Sequence, residues 1–217
     1  TTNELYSEHI LKSVMQDQAY LDYKKVIFKT DQEPAMKALQ ERIRVLRNAP
    51  NEQTILENSP VGESQSNGKV EKAVQEAEGM ISTLTAALEH RIQCKLEPGS
   101  PMMAWLVEYV GVLLTYFREG KDGKTALERH KGVKHLRPMA EFGESIMYLP
   151  LDLKSHPVSA PDSRFCDGTW LGLDMRSGEI MIGTPSGIVR ARTVKRKLES
   201  ERWSADEVFE IKGTPWN

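Results

Sequence analysis

Two acidic residues, Asp31 and Glu71, have the type and position to share a divalent cation. Asp31 follows a short apolar and β-branched run at 25–30. A carboxylate at the C-terminal tip of a buried strand is where open α/β sheets place ligand-binding groups. Glu71 falls in the first turns of a predicted helix, where the helix dipole favours a negative charge. Carboxylate oxygens at these positions are suited to holding a divalent cation. The alternative for Glu71 is an exposed side chain that contacts only water.

The elements that must position these acids follow from the spacing of the apolar residues. Period and composition predict helices over 3–20, 34–48 and 70–92, strands over 25–30 and 54–58, and a loop over 59–68. The order helix, strand, helix, strand, loop, helix indicates an α/β domain. In such a domain Asp31 would follow the first of these strands, and Glu71 would follow the second strand and the loop.

A nearly continuous apolar run covers 102–117. At about 1.5 Å per residue it is too short to cross a hydrocarbon core of about 30 Å. Glu108 also lies in its middle. The run therefore predicts a helix buried by packing rather than a membrane span.

The spacing of apolar residues changes beyond Pro138. Short apolar runs separated by turn residues predict strands over 145–149, 169–173, 179–182 and 187–194, with a long loop over 152–167. Together they indicate a small antiparallel barrel or sheet.

Two basic stretches accompany this region. The first covers 118–137, and it is either a solvated linker face or a phosphate contact. The second, called here the basic strand, has five positive charges in eight residues. Its members are Arg190, Arg192, Lys195, Arg196 and Lys197. Alternation along a strand would put the first two on one face, where phosphate binding and simple surface solubility are both open.

Composition limits the classes of function. A chain of 217 residues with 39% hydrophobic and 28% charged residues is long enough for one large or two small globular domains. The net charge of -2 argues against DNA binding through the overall field, so any nucleic-acid surface must be local. Cys94 and Cys166 have no metal or redox spacing, which favours a reducing, intracellular setting. No secretory signal pattern opens the sequence.

The motifs resemble the integrase region of copia-type retrotransposon polyproteins, a retroviral-type catalytic core of the Asp-Asp-Glu family. That family's final acid follows a Pro, Gln, Asn, Gly pattern, matched here by Pro60, Gln65, Asn67, Gly68 and Glu71. Further likenesses are the Trp105 helix, the Thr125 to Glu128 element, Ala140 to Gly143 and the strand at 168–173. The likeness covers about 3–196. It departs at Gln32 and Glu33, where the family has Asn-Gly, and at Ala126, where it has Pro.

The resemblance implies a truncated ribonuclease H-like core whose front strands are missing, followed by helices and a small C-terminal β barrel or sheet. The corresponding domains are a partial catalytic core at 1–95, a helical extension and basic linker at 96–138, a small β domain at 139–200 and a tail at 201–217. The family's first Asp would lie upstream of Thr1.

The function implied is DNA integration, in which a two-metal polynucleotidyl transfer joins element DNA to target DNA. Asp31 and Glu71 would be the catalytic metal ligands, while Lys69, Lys72 and the basic strand would contact DNA. Two Mg²⁺ or Mn²⁺ ions are expected for the complete triad, and one or none here, so we expect the chain to be inactive as given. The implied partners are element ends, target DNA and further copies of the integrase. No membrane is expected, and the setting is intracellular, in the nucleus when host DNA is the target.

Two other functions stay open. One is a non-catalytic nucleic-acid-binding or assembly module derived from a mobile element, which keeps the fold and the basic strand but not the chemistry. The other is a metal nuclease of the same fold, which would hydrolyse DNA without joining it.

Overall fold

The structure is a computed structural model that describes residues 2–30, 32–47, 51–58, 68–151 and 164–216. It divides into two compact units, the first covering Thr1–Glu76 with Trp216 and the second covering Ala77–Pro215 with Asn217. The elements in chain order are α1 (Thr2–Leu21), β1 (Lys25–Thr30), α2 (Pro34–Leu46), β2 (Gln53–Asn58), α3 (Gly68–Ile92), α4 (Pro101–Phe117), α5 (Ala126–Lys131), β3 (Ser145–Pro150), β4 (Cys166–Leu173), β5 (Ile180–Thr184), β6 (Gly187–Arg196) and α6 (Ala205–Phe209). A 3-10 turn, Glu199–Glu201, precedes α6.

The first unit contains a two-stranded parallel sheet. β1 pairs with β2 in register, from Lys25 opposite Gln53 to Thr30 opposite Asn58. The carboxyl ends of both strands therefore lie at one edge of the sheet. The strands and helices predicted for this half of the chain are confirmed, with boundaries within two residues of those predicted. The predicted loop at 59–68 lies outside the described residues except for Gly68, which begins α3.

Buried polar side chains tie α2 to its neighbours. Gln40, only 1% exposed, donates through Nε2 to the backbone carbonyls of Phe28 at 2.9 Å and Glu57 at 3.0 Å. One amide group thereby bridges the two strands near their carboxyl ends. Buried polar groups need such partners, because an unpaired one loses its hydration without compensation.

A second buried polar side chain, Arg47, follows α2 and also hydrogen-bonds to neighbouring elements. Arg47 is 4% exposed and donates to Thr54 Oγ1 and Gln18 Oε1, each at 3.0 Å, and to the Tyr23 carbonyl at 2.8 Å. Five donors in a fixed fork let one guanidinium serve several acceptors. Arg47 therefore joins β2, α1 and the segment before β1.

The second unit is built on a closed antiparallel barrel of β3, β4, β5 and β6. Its core contains Ile146, Trp170 and Ile182, and Trp105 and Leu106 of α4 are buried in the same apolar cluster. The predicted small antiparallel barrel and the predicted buried packing helix are both confirmed. Of the predicted loop at 152–167, residues 152–163 lie outside the described part, and 166 and 167 belong to β4.

Across the ranges given above, no helix is both long enough and apolar enough to cross a membrane.

Residues after the barrel complete its core. Val208 and Ile211 are 2% and 4% exposed, and the Trp105 Nε1 donates to the Gly213 carbonyl at 3.0 Å. Gly183 lies beneath Ile211, since a Cβ added there would be 2.9 Å from Ile211 Cδ1. The segment predicted as a tail therefore contains residues that pack inside the second unit.

Two short helices were not predicted. α5 begins with a capping box, in which Thr125 accepts from the Glu128 N–H and the Glu128 carboxylate accepts from the Thr125 N–H. α6 begins at the Ser204 cap, whose hydroxyl accepts from the N–H of Glu207. The Thr-x-x-Glu and Ser-x-x-Glu spacings are the sequence signals that would have found them.

Candidate metal-binding and nucleic-acid-binding residues

The predicted acidic pair is described only in part. Asp31 lies outside the described residues, as do Pro60, Gln65 and Asn67 of the predicted loop motif. Thr30, the residue before Asp31, is 9% exposed and ends β1 opposite Asn58. The distance between the two carboxylates is thus not described, and their convergence stays a prediction.

Glu71 lies in the first turn of α3 and is exposed. Within the part of the chain that the structure describes, its carboxylate has no hydrogen bond or ion pair. Both oxygens are available to a hard cation such as Mg²⁺, which prefers carboxylate ligands. Glu71 alone does not make a metal site. The described ranges contain no group of three His, Cys, Asp or Glu side chains able to hold a metal.

Lys69 and Lys72 flank Glu71 on the same helix and are both exposed. Neither has an ion-pair partner among the described residues. A lysine of this kind can contact a phosphate without first breaking a bond to an acid. Both lysines are therefore exposed and free of ion pairs within the described residues, as the predicted DNA contacts require.

The basic strand is different, because acids lie beside it. Arg190 Nη1 is 3.6 Å from Asp174 Oδ2 and 3.6 Å from Glu179 Oε2. Arg192 Nη2 is 3.2 Å from Glu179 Oε1. The antiparallel register of β5 and β6 places Ile180 opposite Ala191, so Glu179 and Arg192 are the next facing pair.

Asp174 is fixed by its own turn as well as by Arg190. Its Oδ1 accepts from the N–H groups of Arg176 at 2.8 Å and Ser177 at 3.1 Å. Burial acts to raise the pKa of Asp174, but those two N–H groups and the nearby guanidinium groups of Arg176 and Arg190 together hold this pKa below its usual value. Asp174 therefore stays ionised beside Arg190.

The end of the basic strand is also ion-paired. Arg196 donates from Nε and Nη2 to both carboxylate oxygens of Glu144. Hydrogen bonding to this carboxylate raises the pKa of the Arg196 guanidinium above its usual value. Lys197 Nζ lies 3.0 Å from Asp167 Oδ1 and 3.3 Å from Glu207 Oε1.

Lys195 makes a different contact. Its Nζ lies 4.4 Å from the centroid of the Phe165 ring, within the range of a cation–π interaction. Four of the five cations of the basic strand thus face carboxylates, and Lys195 faces an aromatic ring. The sequence pattern did not predict these acids as partners, and the local signal for one of them was Glu179, directly before β5.

The chain matches no model of a known protein family, and it has no significant match among curated proteins.

Proposed function

We propose that the chain is part of a copia-type integrase of the Asp-Asp-Glu family, which joins element DNA to target DNA. The observation that carries the proposal is the in-register parallel pairing of β1 and β2. The carboxyl ends of parallel strands are where α/β sheets bind their ligands. Asp31 is the next residue after β1, and the segment that leads to Glu71 follows β2.

The exposed apolar surface of the first unit supports a ribonuclease H-like sheet with additional strands. Ile27, in the middle of β1, is 56% exposed, while its neighbours Val26 and Phe28 are partly buried. Parallel sheets are usually covered on both faces. An exposed apolar side chain on a parallel strand therefore fits a sheet whose other elements lie outside the residues described.

The chemistry would be in-line attack of a hydroxyl on a phosphodiester, in which the new phosphorus–oxygen bond forms as the bond to the leaving oxygen breaks. Asp31 and Glu71 would hold Mg²⁺ or Mn²⁺, which when bound activates the nucleophile and stabilises the leaving oxygen. Lys69 and Lys72 would bind the phosphates beside Glu71. A third acid must complete the site, so we propose that the chain alone has no strand-transfer activity.

Mn²⁺ titration followed by electron paramagnetic resonance tests the assignment of the two acids. We expect weak binding that is lost in Asp31→Asn and in Glu71→Gln but retained in Glu78→Gln, a matched change at an exposed Glu of the same helix. Unchanged binding in Glu71→Gln would refute the role of this residue. Strong nicking of a labelled duplex by the wild-type chain, abolished by Glu71→Gln, would show that the third acid lies within this chain.

A non-catalytic module is the second candidate, and the ion pairs of the basic strand favour an assembly role over a nucleic-acid-binding one. Cations that neutralise neighbouring acids contribute little to a phosphate-binding field. Duplex binding that survives Asp31→Asn and Glu71→Gln, but falls when Arg190, Arg192 and Lys195 are neutralised, would instead support the nucleic-acid-binding form. Hydrolysis without joining would identify a metal nuclease.

A further inference from the structure

An open cleft of about 660 Å³ lies in the second unit, beside the barrel. One side is the segment 131–139, and the other includes Trp170 and Leu173 of β4, Ile180 of β5 and Val194 of β6. Tyr116 of α4 and Leu127 of α5 also contribute. The size and largely apolar lining are those of a ligand-binding cleft rather than a packing defect.

Two buried polar atoms in the residues that line this cleft have no partner. Trp170 is 1% exposed, and its Nε1 has no hydrogen-bond acceptor among the described residues. The Nε2 of His135 is buried and similarly unpaired within those ranges. The His135 ring is held by Tyr116 and Phe117, with centroid separations of 4.9 and 5.8 Å. Native proteins pair nearly all buried polar groups, so this wall of the cleft is unusual in having two such atoms that the described residues leave unpaired.

The rim of the cleft is basic. Lys131, Lys134, Arg137 and Arg192 line it, and no Asp or Glu is among the described lining residues. Arg137 is exposed and has no ion pair in the part of the chain that is described. Lys134 is only loosely paired, with Nζ 3.7 Å from Glu128 Oε1. The rim therefore favours a negatively charged ligand.

Exposed apolar side chains on the same segment favour a ligand that is also apolar. Leu136 is 86% exposed and Val133 is 59% exposed. Both line the cleft between the basic residues. Single-stranded nucleic acid is less well matched, because it needs an exposed aromatic face for stacking, and Trp170 is buried in the barrel.

We propose that this cleft binds an extended acidic peptide of a partner protein, with one bulky apolar side chain inserted between the segment 131–139 and the barrel. The acidic residues of the peptide pair with Arg137 and Lys134 at the rim, since Arg192 is already paired with Glu179. The peptide lies beside the edge of Trp170 that lines the cleft, so its binding changes the surroundings of the buried indole. This surface is independent of the proposed metal-binding acids, so its test does not depend on the integrase assignment.

The test uses a fluorescein-labelled peptide of ten Asp and Glu residues with one central Phe, titrated with the full chain. Fluorescence anisotropy reports affinity, and the NMR signal of the Trp170 indole N–H, assigned with Trp170→Phe, reports the location. We expect binding that weakens about tenfold in Arg137→Glu and in Lys134→Glu, since each places a like charge at the rim. Lys121→Glu, an exposed lysine that does not line the cleft, is the matched control and should bind like the wild type.

A peptide with Ala in place of Phe should bind at least about tenfold more weakly, because the apolar insertion is lost. If Lys121→Glu weakened peptide binding as much as the rim variants do, the loss of affinity would come from net charge alone, and the proposal would be overturned. An unmoved Trp170 indole signal, or no binding at millimolar peptide, would also overturn it. Tighter binding of a single-stranded oligonucleotide with the same rim dependence would reassign the cleft to nucleic acid.

Discussion

Arg196 donates two hydrogen bonds, of 2.6 and 2.7 Å, to the carboxylate of Glu144, whose side chain is fully buried. The pair links the last residue of β6 to the residue before β3, and Glu144 Oε2 also accepts from the Glu141 N–H at 3.0 Å. Bidentate geometry makes this one of the stronger kinds of ion pair. The densest positive cluster of the sequence thus includes a cation that stabilises the barrel.

Arg196→Ala should destabilise the second unit strongly, because it leaves a buried carboxylate without its main partner. Breaking buried pairs costs about 3–5 kcal/mol, and since Arg196 is itself partly exposed we expect about 2–3 kcal/mol here. Urea denaturation followed by tryptophan fluorescence measures the change. Arg192→Ala is the control, because Arg192 is far more exposed than Arg196 and its pair with Glu179 should contribute less than about 1 kcal/mol. Equal effects of the two changes would contradict the structural role of Glu144.

Gln40→Leu should loosen the parallel strands of the first unit. The change removes both hydrogen bonds to the carbonyls of Phe28 and Glu57 and replaces the amide side chain with an apolar one of similar size. Leaving these partly buried carbonyls unpaired costs toward the lower end of about 1–3 kcal/mol. Amide hydrogen exchange across β1 and β2 should become faster. Gln75→Leu, at an exposed position on α3, should leave the exchange of these strands unchanged.

Lys69 and Lys72 should contribute more to duplex DNA binding than Arg190 and Arg192. The lysines have no acidic partner in the described ranges, whereas both arginines lie beside carboxylates. If each lysine contacts one phosphate, replacing it with Ala should lower the slope of log affinity against log salt by roughly 0.9. Fluorescence anisotropy of a labelled duplex at several salt concentrations measures this slope. A larger loss of DNA affinity from Arg190→Ala and Arg192→Ala than from the lysine variants would contradict this prediction.

Tyr109 should make the second unit sensitive to alkaline pH. Burial, followed by the charges of Glu141 and Glu144, raises the pKa of Tyr109 to about 12 from its usual 10. The neutral phenol is favoured in the folded state, so its contribution is complete below pH 10 and is lost as the pH rises toward 12. A two-unit shift corresponds to on the order of 2 kcal/mol. Tyr109→Phe should flatten this part of the stability–pH curve, and an identical curve for the variant would contradict the shift.

Local periodicity explains why much of the secondary structure could be predicted. The apolar spacing of α2 and the β-branched content of β1 each identify an element within a few residues of its ends. The barrel strands were recognisable from their short runs and Gly turns. α5 and α6 contain five or six residues, too few for a period, and only their capping residues distinguish them from loops.

Long-range pairing explains what could not be predicted. Glu144 and Arg196 are 52 residues apart, and only closure of the barrel through β3 and β6 brings them together. Nothing near either residue indicates the other. The same limit applies to the proposed acidic site, since Asp31 and Glu71 belong to separate segments and Asp31 lies outside the described residues.

The contacts of Trp105 with Gly213 and of Gly183 with Ile211 have a consequence during protein synthesis. While residues 208–213 are still inside the ribosome, the emerged barrel strands and α4 expose the surface that those residues later cover. The nascent chain must keep this apolar surface from aggregating until residues 208–213 have left the ribosome. Ribosome-associated chaperones are therefore expected to engage the second unit before this closing segment docks and to release it afterwards.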